Sequence, residues 1–130
     1  MEWEDYFAKA GENLEVAELA FKQKKYNASA SRAYYAVFQA AIAALLKLTD
    51  FRPKDGEWKH GQVQAELNRR LIMRKKTLPA HLGHVPMDLL EIRHTADYRS
   101  QMLSQKVARD ALSRAQKFVE AVRNNLRGVQ

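Results

Sequence analysis

Apolar positions recur along this chain at helical rather than strand spacing, and the most saturated run lies at residues 29–48. From Ala33 to Leu46 every residue is apolar or aromatic except Gln39. The run lacks Gly and Pro and is rich in Ala and Leu, so helix is its local preference. It is too short to cross a bilayer. Two stripes can be drawn on it: Ala30, Ala33, Tyr34, Val37, Ala41, Ala44, Leu45 and Leu48, and beside them Tyr35, Phe38, Ile42 and Leu46. A helix apolar nearly all round must be packed on several sides. Burying Tyr34, Tyr35, Val37, Phe38, Ile42, Leu45, Leu46 and Leu48 contributes roughly 1.5–3 kcal/mol each before entropy is subtracted.

The flanking segments read as partners for this rod. Tyr6, Phe7, Ala10, Leu14, Ala17 and Phe21 predict a first helix over Glu2 to Lys22, with Gly11 marking a close approach by a neighbour. Lys24 to Tyr26 forms a short connection, and Asn27 or Ser29 is placed to cap the central helix. Thr49 to Glu57, with Pro53, Asp55 and Gly56, reads as a loop. A third helix is expected from Trp58 to Arg74, with Val63, Leu67, Leu71 and Ile72 inward and a basic end at Arg69, Arg70, Arg74, Lys75 and Lys76. Such cations complement the dipole of a helix C-terminus.

Leu78, Leu82, Val85, Leu89, Ile92 and Ala96 keep helical spacing across Gly83 and Pro86. Because Pro breaks a helix interior, this predicts a short turn from Pro79 and then a helix from Pro86 to Arg99, in preference to one kinked helix. Ser104 caps a last helix from Gln105 to Leu126, with Val107, Ala111, Ala115, Phe118, Val122 and Leu126 as its stripe and Gly128 ending it. The expected fold is all-α: an antiparallel bundle of four to five helices around residues 29–48, forming a single domain over 1–130.

Charge adds asymmetry. The formal net charge is +7, yet residues 1–20 carry six acids against Lys9 alone, while residues 99–130 carry seven bases against Asp110 and Glu120. A basic face suits a phosphate backbone, and the segregation equally suits self-pairing. Without cysteine, disulfide and thiol chemistry are excluded. The acidic start and the lack of a transmembrane-length run give the expectation of a cytoplasmic protein with no membrane association.

Few residue patterns carry chemistry. His81 and His84 have a chelating spacing but no third local ligand, so no metal or cofactor is expected. His60 reads as a partly buried hydrogen-bonding residue. The densest polar segment is Glu91 to Arg99, where Arg93 and Asp97 stand one turn apart and can pair. Spacing alone makes this an ion pair beside a core tyrosine; the functional version gathers Arg93, His94 and Tyr98 around a phosphate or base.

Tyr26 to Leu46, with Arg32, Ala33, Tyr34, Tyr35, Ala36 and Phe38 in one run, together with Ile92 to Tyr98, resembles the HEPN domain family. The likeness is strongest to its small stand-alone bacterial and archaeal members, and it extends from the Tyr6/Ala10 helix to the Ala111–Val122 helix. The resemblance implies a helical bundle, frequently a homodimer, linked to RNA metabolism, toxin–antitoxin pairs or a partner nucleotidyltransferase. Active members are metal-independent ribonucleases that carry an Arg followed, after four to six residues, by a His, shared across the dimer. Arg93 matches that arginine, but Asp97, Tyr98, Arg99 and Ser100 follow, and His94 directly after it cannot point the same way. Gln39 stands where many relatives have His.

Metal-free RNA cleavage needs a group that titrates near neutral pH. The expected function is therefore a non-catalytic binding module that partners a nucleotidyltransferase or contacts RNA or a nucleotide, with Arg32, Arg93, Asp97 and Tyr98 as its binding residues. Arg93 or Arg32 would hold Asp97, and Tyr98 would pack on Tyr34 or Tyr35. The alternatives are a ribonuclease toxin using Arg93 with His94 or Tyr98, and a structural dimer with no nucleic-acid role.

Overall fold

The computed structural model describes residues 2–128, all of whose regular elements are helical. Helix α1 spans Glu2–Lys22, α2 Tyr26–Leu48, α3 His60–Glu66, α4 Val85–Tyr98 and α5 Gln105–Gly128. Helix α3 continues as a π-helix, Leu67–Arg74, and a short 3-10 turn, Ala80–Leu82, precedes α4.

Helix α2 lies in the middle, against α1, α5, α4 and α3. Its alanines 30, 33, 36, 40, 41, 43 and 44 are fully buried, as are Val37 and Leu45, which lets the neighbouring helices approach closely. Tyr34 and Ile42 are also buried, whereas Tyr35, Phe38 and Leu48 are only half-covered. Ala10 and Ala17 of α1 and Ala111, Ala115, Phe118, Val119 and Val122 of α5 close the same cluster.

Several boundaries differ from expectation, each for an identifiable reason. Helix α2 starts at Tyr26, three residues before the apolar run, and neither Asn27 nor Ser29 caps it. Their side chains are spent on other elements: Ser29 Oγ donates to the Ala17 carbonyl at 2.8 Å, and Asn27 Oδ1 accepts from Leu103 N at 2.9 Å. The third helix begins at His60 rather than Trp58, and its second half is π rather than α. Lys75 N bonds the carbonyl five residues back, Arg70 O, at 3.1 Å, and Thr77 N and Leu78 N both converge on Leu71 O. The wider turn keeps Leu67 and Leu71 buried with Ile72 alongside.

The interrupted arrangement around Pro86 holds. Pro86 occupies the first turn of α4, where its missing N–H leaves no bond unmade. Ser104 caps α5 as expected, its Oγ accepting from Val107 N at 3.2 Å. Val107 itself points outward, 38% exposed, and Ala108 takes the inward position.

The two glycines of interest exchange roles relative to the sequence reading. A Cβ at Gly11 would meet nothing within 4 Å, so no neighbour packs closely there. A Cβ at Gly83 would fall 2.3 Å from Asn68 Oδ1 and 3.3 Å from the Ala80 carbonyl. Asn68 cannot retreat freely, because its Nδ2 donates to the carbonyls of Gly83 and Gln64. Gly83→Ala is expected to destabilise by about 1–3 kcal/mol, as overpacking does. Gly11→Ala should stabilise by up to about 1 kcal/mol through helix propensity. Thermal unfolding followed by circular dichroism checks both: the melting temperature falls for the first variant and rises for the second.

Candidate functional site

Helical spacing puts Arg93, Asp97 and Tyr98 within about a turn and a half at the end of α4, and the bundle presses that end against the first half of α2. Arg93 Nε donates to Asp97 Oδ2 at 3.1 Å, and its Nη2 donates to the Tyr98 hydroxyl at 2.9 Å. The guanidinium carbon lies 5.1 Å from the Tyr35 ring centre, 5.4 Å from Tyr98 and 5.8 Å from Tyr34. Asp97 Oδ2 also accepts from Ser31 Oγ of α2 at 3.0 Å, so one carboxylate joins the two helices. Arg93 is only 12% exposed along its side chain, which shields its pairing from solvent. Burial works against its charge, but Tyr35, the Asp97 hydrogen bond and Tyr98 outweigh that and hold the guanidinium above its ordinary pKa.

The aromatic floor continues beyond Tyr34. Phe38 stacks on Tyr34 with ring centres 5.8 Å apart, and the His60 ring packs 4.8 Å from Phe38. His60 Nδ1 is hydrogen-bonded to the Tyr34 hydroxyl. Burial pushes the Tyr34 hydroxyl well above its usual pKa, against the pull of Arg93. With no other partner among the described residues, that hydroxyl is best satisfied by donating to Nδ1, which leaves neutral His60 carrying its proton on Nε2. Burial of its inner edge, then the charge of Arg93, lowers the His60 pKa.

The expected residues do not all meet. Arg93, Asp97 and Tyr98 come together, and it is Arg93 that holds Asp97. Arg32 is elsewhere: its Nη1 donates to Asn13 Oδ1 of α1 at 3.0 Å, and Asn13 in turn donates to Gln39 Oε1 at 2.8 Å. Tyr98 does not enter the core against Tyr34 or Tyr35; it is 65% exposed, held by Arg93 from beneath and by the His94 ring 5.3 Å away. His94 is exposed, as its direction on the helix requires. His60 makes the hydrogen bond expected of it yet stands exposed, on the same aromatic floor as Arg93. No local spacing links two residues that far apart in sequence, and only the pairing of α3 with α2 does so.

The arrangement offers a fixed cation whose Nη1 has no protein partner among the described residues, flanked by exposed Tyr98 and two imidazoles. Such a surface can bond a phosphate oxygen and stack a base. Among the described residues no three His, Asp or Glu are grouped to hold a metal, and no helix is long and apolar enough to cross a membrane.

Comparison with known proteins gives one family: the HEPN domain model matches residues 3–125. A protein of Methanocaldococcus jannaschii named "Putative toxin MJ0605" is 28% identical over 120 residues, covering 92% of this chain and 85% of its own length.

The lowered His60 pKa makes stability depend on pH. Unfolded His60 takes up its proton near its ordinary value of 6.5, before the folded state does. Its contribution is therefore complete above that pH and is lost as pH falls through the lower folded value. Asp55 and Glu66, held below their usual values by hydrogen bonds from Lys59 and Arg70, respond only in more acid solution. Urea midpoints should fall from pH 7.5 to pH 5.5, and fall less in His60→Gln.

Proposed function

We propose that this chain, which belongs to the HEPN domain family, is the RNA-contacting member of a toxin–antitoxin pair, and that it binds through the Arg93 surface without cutting. The toxin–antitoxin setting is supported by the relative named as a toxin. The family resemblance adds a homodimer and a nucleotidyltransferase as the other member of the pair.

One observation carries the binding role: Tyr98 projects into solvent while Arg93 bonds its hydroxyl and underlies its ring. An exposed aromatic held by a mostly covered cation loses little freedom when a base stacks on it. The lack of cutting rests on the same atoms. Two of the three guanidinium nitrogens are already engaged by Asp97 and Tyr98, and no imidazole follows Arg93 on its own face of α4.

A second reading has one observation behind it. His60, on the floor shared with Arg93, becomes a base in its other tautomer: Nδ1–H then donates to the Tyr34 hydroxyl, and the bare Nε2 accepts the proton of a ribose 2′-hydroxyl. In that reading Arg93 and His60 act together, in place of the Arg93 and His94 or Tyr98 combinations suggested by the sequence.

Incubation of the protein with end-labelled single-stranded RNA separates them. Binding with the RNA left intact, weakened about tenfold in Tyr98→Ala by loss of stacking worth about 1–3 kcal/mol per base, is the expected result. Cleavage that disappears in both Arg93→Ala and His60→Gln would establish the second reading instead.

A further inference from the structure

The last turn of α2, the 49–59 connection and the π-helical segment Leu67–Arg74 together enclose two adjoining hollows of about 440 and 800 Å³. Arg70 belongs to both. The smaller is lined by Lys47, Asp50, Arg70, Arg74 and Lys75. Among the residues of the larger are Arg52, Lys54, Lys59 and Arg69, with Asp55 and Glu66 as its acids. Eight cations face three carboxylates, so this one region carries a net +5 of the chain's +7.

Part of this charge is accounted for internally. Lys59 pairs with Asp55 at 3.0 Å, Arg69 and Arg70 both reach Glu66 at 2.7 Å, and Arg52 donates to carbonyls at the end of α2. Lys47 lies over the Trp3 ring. Lys54, Arg74 and Lys75 have no acidic partner among the described residues and are exposed. A helix dipole favours Arg74 and Lys75 only weakly, and it does not act on Lys54 in the loop. These three exposed cations, in a region of net positive charge, attract a polyanion.

Two further features select the kind of polyanion. Arg70 lies over the half-buried Phe51 ring at 5.4 Å, which puts a planar platform in the larger hollow, at the residue it shares with the smaller. Lys59, in the larger hollow, is followed by His60, whose ring rests on Phe38 and Tyr34 beside Arg93. The basic region and the Arg93 surface are thus linked through the consecutive residues Lys59 and His60.

From this we infer that the hollows at the π-helical segment are a backbone-binding track for a single-stranded polynucleotide, RNA on the reading above, which leads along Lys59 and His60 to Arg93. Phosphates sit among Lys54, Arg74 and Lys75, and a base stacks at the Arg70–Phe51 platform. The inference rests on the RNA-binding reading but goes beyond it, since it names a second, separate region that the strand touches.

The test is fluorescence anisotropy of a labelled 12-nucleotide single-stranded RNA at rising KCl. It compares the full chain with Lys54→Gln/Arg74→Gln/Lys75→Gln and with a control of equal charge change elsewhere, Lys22→Gln/Lys106→Gln/Lys117→Gln. Circular dichroism verifies that each variant is folded. The slope of log K against log salt should become shallower by about 2 in the track variant, at about 0.7 for each phosphate left without its cation, and stay unchanged in the control. Equal losses in both variants would overturn the track, because binding would then be diffuse. Undiminished binding by the track variant, alongside weakened binding by Tyr98→Ala, would overturn the track alone. Failure of the unmodified chain to bind at low salt would remove the RNA-binding reading and the track with it. Tighter binding of a duplex of the same length would overturn the single-stranded assignment.

Discussion

Everything in this bundle depends on enclosing α2. A helix that presents apolar side chains nearly all round has little solvent-tolerant surface, and its seven fully buried alanines demand backbones close against it rather than long side chains bridging a gap. Helices α1 and α5 meet that demand over most of its length, and α4 covers another side. In the middle of α2, cover is incomplete at Tyr35 and Phe38. The polar chemistry of the molecule is assembled at that thin place. The site is a consequence of incomplete enclosure, with aromatic rings as floor and the end of α4 as wall.

Most of the fold can be read from residue spacing, because helix packing here follows an amphipathic rule that each segment states locally. The bounds of α1, the break before Pro86 and the Ser104 cap are all legible, since each is decided within one turn of chain. What escapes is decided between segments. Asn27 and Ser29 have cap chemistry, but Leu103 and Ala17 claim it. Gly11 and Gly83 look alike in sequence; only the second faces Asn68. The π-helical turn at Leu67–Arg74 rests on how Leu71 O is shared, which no propensity encodes.

The site is legible to the same extent and no further. The i, i+4 spacing of Arg93 and Asp97 foretells their pairing, and family resemblance points to Tyr98. Arg32 is misplaced by sequence alone because helix direction cannot say whether a side chain on α2 meets α1 or α4; Asn13 settles it. Tyr98 is expected to pack on Tyr34 or Tyr35, yet the Arg93 guanidinium lies against those two rings and the Tyr98 ring is left exposed above it. His60 joins the floor through tertiary pairing, which single-sequence periodicity cannot register.

The connection from α4 to α5 carries a further implication. Asp97 is tethered to Ser31 in the second turn of α2, and Leu103 is tethered to Asn27 in the first turn. The chain between these two anchor points spans five residues, so the entropy lost in closing it is small. A helix terminus beside a connecting segment would ordinarily fray. Here the terminus is moored on both sides to a single post, so Tyr98, the first of those five residues, is held close to the frame although it lies at its edge.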